Sequence, residues 1–188
     1  MPAFCALSLP LRSIANGLTI ARAVAGLPLI LALEAGWSAT AWWLLLLAGL
    51  SDAADGWLAR RADGGSSWGA RLDPLTDKVL IAAPLLWLAS RGEMVPSLPL
   101  WAVWLLLARE LLISGWRSQA GDGGPASMAG KLKTTLQFLA LLLMLWPSAW
   151  AGHGLLVRLG WWLFWPSLVL ALISAVRYLR PQSASRRR

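Results

Sequence analysis

Apolar residues run along this chain in long blocks separated by short polar clusters, and the blocks predict helices near 14–35, 38–62, 73–91, 97–118, 131–150 and 154–180. Each block approaches the ~20 apolar residues that a bilayer-crossing helix needs. Turn-forming residues mark the breaks: Glu34-Ala35-Gly36, Gly64-Gly65-Ser66-Ser67, Arg91-Gly92-Glu93 with Pro96, Gly121 to Pro125, and Pro147-Ser148. Residues 3–12 read as a short interfacial segment, because the start of the chain lacks the basic stretch and small-residue cleavage site of a signal peptide. The expected fold is an all-α integral membrane protein, one domain over 1–188 with six transmembrane helices behind a short N-terminal interfacial helix.

Composition supports that class. Of 188 residues 57% are hydrophobic and 14% charged, mean hydropathy is +0.59, and 14 Trp stand against one Tyr. Such a balance suits lipid burial and leaves no room for a second, soluble domain. A single Cys5 excludes an intrachain disulfide, and one histidine, His153, cannot build a Cys/His zinc site. Trp42, Trp43, Trp101, Trp104, Trp161, Trp162 and Trp165 fall near expected helix ends, as interfacial belts do.

With an even number of spans both termini share a side. Arg12, Arg60, Arg61, Arg71, Arg117, Lys131, Lys133, Arg177, Arg180 and Arg186 to Arg188 gather there, against Arg91 and Arg158 on the other. The positive-inside rule makes the first side cytoplasmic. The net charge of +8 then reflects contact with anionic lipid rather than nucleic acid.

The second and third helices break the pattern. Only twelve uncharged residues lie between Ala39 and Leu50, too few to cross ~30 Å of hydrocarbon, so the helix must continue through Asp52 and Asp55. Asp52 then lies roughly 12 Å deeper than Arg60. In the third helix the stretch from Val79 to Ser90 is also too short unless the span begins near Asp73. Residues three or four apart share a helix face, which pairs Asp52 with Asp55 and Asp73 with Asp77.

Even one charge at the bilayer centre costs at least ~2.5 kcal/mol. Two divalent cations would neutralise the four carboxylates, and a set of oxygen donors suits Mg²⁺ or Mn²⁺ shared with substrate phosphates. Gly56, Ala59 and Gly69 leave smooth helix surface where a nucleotide would approach, and Arg60 is placed to hold a phosphate oxygen. Small residues also serve helix packing, and Arg60-Arg61 would equally serve as a topology anchor.

The run Asp52-x2-Asp55-Gly56-x2-Ala59-Arg60-x8-Gly69-x3-Asp73-x3-Asp77 resembles the complete signature of the CDP-alcohol phosphotransferases, membrane enzymes of phospholipid synthesis. That resemblance implies a six-helix bundle, a homodimer, with a polar cavity open to the cytoplasm, in the bacterial cytoplasmic membrane. It implies Asp52, Asp55, Asp73 and Asp77 as ligands of two divalent cations, with Asp77 also the base. The CDP moiety would meet Asp52, Gly56, Ala59, Arg60, Ser66 and Gly69, and the lipid substrate would be CDP-diacylglycerol.

Acceptor choice falls to cations elsewhere. Arg109 lies ~12 Å inside the fourth helix from Arg117, at a depth where an unpaired charge is rarely decoration. Its neighbour Glu110 is expected on another face, with an Arg109 to Glu110 interhelical network as the structural alternative. Lys131 and Lys133, two apart near a helix N-terminus, cannot share a face, so one is expected in the cavity and one among headgroups. Together Arg109, Arg117, Lys131 and Lys133 would bind an anionic acceptor such as glycerol 3-phosphate.

The stretches Ala108 to Ser114 with Arg117, Gly130 to Thr135 with Gln137, Asp73-Pro74-x-x-Asp77-Lys78, and Asn16-Gly17-Leu18-Thr19-x-x-Arg22 are similar to the branch of that family using glycerol 3-phosphate. Inositol phosphate, phosphatidylglycerol and serine are alternative acceptors. A divalent-cation channel or carrier is the reading from another class, though the cations of the acceptor pocket would oppose metal passage.

Overall fold

The computed structural model describes the backbone of residues 17, 21, 22, 24–61, 69–92, 97–120 and 128–179, with side chains at all of these except 52–61, 69–75, 77, 116–120, 128–131 and 177–179. The interfacial segment expected over 3–12 lies outside the described residues. Among those described there are six helices and no strand: α1 Val24–Glu34, then α2 Ser38–Arg61, α3 Gly69–Ser90, α4 Leu100–Ala120, α5 Met128–Met144 and α6 His153–Leu179. The number of helices agrees with expectation, and the largest differences in the bounds of α2 to α6 fall at two ends. α3 starts at Gly69 instead of near 73, running through Pro74 without the hydrogen bond that proline cannot donate. α5 stops at Met144 instead of near 150, because Pro147 cannot continue the helix and biases Trp146 away from helical backbone.

Tight turns set the antiparallel order. α1 closes on a left-handed Gly36 with φ 77°. Trp37 N–H donates to the Ala32 carbonyl at 2.8 Å and Gly36 N–H to that of Leu33 at 3.2 Å. This pair of bonds is a Schellman cap, which needs a residue without a Cβ at the turn. α2 can therefore start at Ser38 with almost no connection. The end of α1, the start of α2, the end of α3 and the α5–α6 turn meet at one end of the molecule, around a cavity of about 250 Å³ that includes Gly36, Ser38, Arg91 and His153. The last turns of α2 and α4 and the first turns of α3 and α5 consequently lie at the opposite end.

Leu29, Leu45, Leu85, Leu88, Leu106, Leu141 and Phe164, drawn from all six helices, form a continuous apolar core. Polar side chains join it: Arg22, Thr76, Arg109, Lys133, Gln137, Ser167 and Ser174 are all buried. The outer surface has the opposite character. Leu112 is 72% exposed and Trp162 69%, with Leu100, Trp104 and Leu155 similarly bare. Exposed apolar area on this scale calls for a nonaqueous neighbour. One stretch, His153–Val176, is long and apolar enough to cross a membrane by length and composition, while Val24–Glu34, Ser38–Ser51, Lys78–Ser90 and Leu132–Met144 are apolar but shorter.

A cluster of four tryptophans stands at the turn end. Trp42 stands edge-on to Trp43, Trp146 and Trp150 with ring centroids 5.1, 5.4 and 5.2 Å away. Its Nε1 donates to the Leu142 carbonyl at 2.9 Å. That carbonyl lies in the last turn of α5, where Trp146 N–H bonds Leu143 instead. Trp42 therefore caps a group the helix cannot satisfy for itself. Replacing Trp42 with Phe should destabilise the protein by about 0.5–1.5 kcal/mol, the range for losing a hydrogen bond that is only partly buried. Thermal unfolding in detergent would read this, and an unchanged midpoint would remove the cap from the stability account.

Candidate functional site

The two halves of the aspartate signature fall at the same end of two consecutive helices. Asp52, Asp55, Gly56, Ala59 and Arg60 occupy the last part of α2, and Gly69, Asp73 and Asp77 the first part of α3. For these eight positions the description is of backbone. Ser66 lies outside the described residues. On α2 the buried Leu45 and Ala48 set a face whose register continues through positions 52, 55 and 56, as spacings of three and four require. On α3 the buried Thr76 and Leu80 set a face shared with positions 73 and 77 by the same rule.

A cavity of about 210 Å³ begins one turn inward from both aspartate pairs. Its walls include Ala48 and Gly49 of α2, Leu80 of α3, Thr134 and Thr135 of α5, and Arg22. Gly49 is needed here, since a Cβ at that position would overlap the Phe138 ring. Arg22 is 2% exposed and adds a buried cation that the sequence reading had not assigned to the site. The signal was present in the sequence: an arginine just before an apolar run, where an ionisable residue is expensive unless it has a task.

A second polar centre joins α4, α5 and α6. Arg109 reaches across to α6, donating from Nε to the Ala171 carbonyl at 2.9 Å and from Nη2 to Ser174 Oγ at 3.0 Å. Its Nη1 donates to Glu110 Oε1 at 2.9 Å. The same oxygen accepts from Lys133 Nζ of α5. Of the two expectations for Glu110, another face or an Arg109–Glu110 interhelical network, the structure shows the network, because both side chains are long enough to turn toward each other. Lys133 faces inward, with its side chain 6% exposed, while Leu132 beside it faces outward. For Arg117 and Lys131 only the helical backbone is described. His153 is the first residue of α6, with Nδ1 2.8 Å from the Trp146 carbonyl.

An all-helical body with an apolar core, a widely apolar exterior, one helix long and apolar enough to cross a membrane, and four aspartate positions at the adjoining ends of α2 and α3 set the class of this protein. The chain matches the CDP-alcohol phosphatidyltransferase family over residues 12–173 and belongs to that family. It is similar to an Escherichia coli (strain K12) protein named CDP-diacylglycerol--glycerol-3-phosphate 3-phosphatidyltransferase, with 34% identity over 162 residues that cover 80% of this chain and 83% of the relative. A protein of the same name from Salmonella typhimurium (strain LT2) is 34% identical over 146 residues, 72% of this chain and 74% of the relative.

Proposed function

We propose that this chain transfers the phosphatidyl group of CDP-diacylglycerol to glycerol 3-phosphate, yielding phosphatidylglycerophosphate and CMP. The observation that carries the reading is the full eight-position signature, divided between the adjoining ends of α2 and α3 in a chain of this family. The protein crosses the bacterial cytoplasmic membrane six times, with both termini and the aspartate end on the cytoplasmic side, and works as a homodimer. The apolar exterior supports the membrane placement, and the surplus of basic residues on the aspartate side supports the orientation.

Asp52, Asp55, Asp73 and Asp77 hold two divalent cations, Mg²⁺ or Mn²⁺. The residues fit that role: all four are oxygen donors, paired at spacings of three and four on continuous helix, next to a largely apolar cavity whose wall also includes Arg22, Thr134 and Thr135. When bound, the cations neutralise the diphosphate oxygens and the charge that develops on departing CMP. Gly56, Ala59 and Gly69 admit the nucleotide to the helix backbone, and Arg60 and Ser66 supply donors to it. Asp77 takes the proton of the glycerol 3-phosphate hydroxyl as its oxygen attacks the lipid-side phosphorus. The phosphorus–oxygen bond to CMP breaks as the new ester forms, and no covalent enzyme intermediate is needed. Such a transfer is achieved mainly by positioning and electrostatics. Arg109, Arg117, Lys131 and Lys133 receive the acceptor phosphate.

Purified protein given CDP-diacylglycerol should release CMP only with both a divalent cation and glycerol 3-phosphate, and a chelator should stop release. Inositol phosphate, serine and phosphatidylglycerol, run in parallel, should give little. CMP release with one of those acceptors instead would reassign the substrate, and ion flux without CMP release would overturn the reaction class.

A further inference from the structure

Glu110 stands between two of the cations just assigned to the acceptor. It accepts from Arg109 on its own helix and from Lys133 on α5 through one oxygen, Oε1. The two cations are anchored unequally. Arg109 has two further partners on α6, Ala171 and Ser174. For Lys133, Glu110 is the hydrogen-bond partner among the described residues.

We propose that Glu110 is a positioning residue for the acceptor phosphate. Its carboxylate holds the Lys133 ammonium beside the Arg109 guanidinium, so that two helices present their cations as one anion-binding pair. The proposal rests on the reading of Arg109 and Lys133 given under Proposed function.

Charge and donor count both favour this role. Two buried cations brought together without a counter-charge repel each other, and each pays for desolvation unaided. One carboxylate leaves the group with a net positive charge, still attractive to a phosphate dianion. A guanidinium has five N–H donors and an ammonium three. The four bonds described use half of them, which leaves donors on both residues for phosphate oxygens.

Loss of Glu110 charge should therefore act on Lys133 much more than on Arg109, which α6 still holds. Glu110→Gln should raise the KM for glycerol 3-phosphate about tenfold, the scale for losing a charge-assisted contact. The KM for CDP-diacylglycerol and the kcat at saturating acceptor should stay within about threefold of the parent, because other residues serve those steps. Lys133→Met should give a similar rise, and E110Q/K133M no more than Lys133→Met alone, since the two changes remove one shared device. The double variant should also recover thermal stability lost in Glu110→Gln, having no buried ammonium left without its partner.

An unchanged acceptor KM in Glu110→Gln, equal rises in both substrates' KM values, or multiplying effects in E110Q/K133M would overturn the proposal. Should Glu110→Gln fail to fold, Glu110→Asp takes its place in the same cycle. The shortened carboxylate should raise the acceptor KM alone, and a parental value would overturn the proposal. A parent protein that does not transfer to glycerol 3-phosphate removes the functional reading and this inference with it. An active parent with an indifferent Glu110→Gln removes this inference only.

Discussion

Asp77→Asn should lower CMP release by about 10²–10⁴-fold, the usual contribution of a positioned base, while CDP-diacylglycerol remains bound. Asparagine keeps the size of the side chain and one carbonyl oxygen, so helix α3 and the approach of the nucleotide survive, but the amide cannot take a proton. The register of α3 gives the residue its importance. Position 77 lies three residues before Leu80, which lines the cavity, and next to the buried Thr76. Asp73→Asn should behave differently, because a residue serving only as metal ligand governs the binding of the diphosphate. Its loss should weaken nucleotide-lipid binding and raise the divalent-ion requirement. Single-turnover CMP release and equilibrium binding of CDP-diacylglycerol, measured on both variants, separate the two roles. Near-parental turnover in Asp77→Asn would remove that residue as the base, and loss of binding in both would make it a ligand alone.

The second large effect concerns stability. Gly160 brings α6 against α5 so closely that an added Cβ would stand 2.7 Å from the Ala140 oxygen, 2.7 Å from the Met144 nitrogen and 2.8 Å from Leu143 Cβ. Two of those atoms are backbone, which no change of rotamer can move aside. Gly160→Ala must therefore lever the helices apart. Overpacking costs about 1–3 kcal/mol, and rigid neighbours put this case at the upper end. For a chain of this size about 3 kcal/mol corresponds to a fall in Tm of about 6–12 °C. Gly154→Ala is the matched control, since nothing lies within 4 Å of its added Cβ. That variant should be neutral or gain up to about 1 kcal/mol from helix propensity. Equal Tm values for the two variants would show that α6 has more freedom against α5 than the structure indicates.

The helices were readable because their signals are local. Apolar blocks, Gly36, Arg91-Gly92 and Pro147 each act within a few residues of a helix end, and α2 and α4 end within two residues of expectation at Arg61 and Ala120. The aspartate signature was legible for the same reason, since its two pairs lie within single helices. Features that depend on one helix meeting another were harder to foresee. An Arg109–Glu110 network was open from the sequence as an alternative, but its third member, Lys133, is supplied by another helix, α5. Arg22 belonged to a family-like motif, but its place in the cavity wall depends on α2, α3 and α5 standing around it. The Leu142 carbonyl gave no hint that an indole one hundred residues earlier would satisfy it.

The apolar portions of α2 and α3, Ser38–Ser51 and Lys78–Ser90, each rise only about 20 Å, whereas the oily layer is about 30 Å deep. If the proposed orientation holds, water would reach the aspartate-bearing parts of these two helices at the level where a lipid's diphosphate would tuck in from the side. A water-soluble acceptor and a membrane-soluble donor can then react at a shared shoreline, and neither has to change phase before the bond is made.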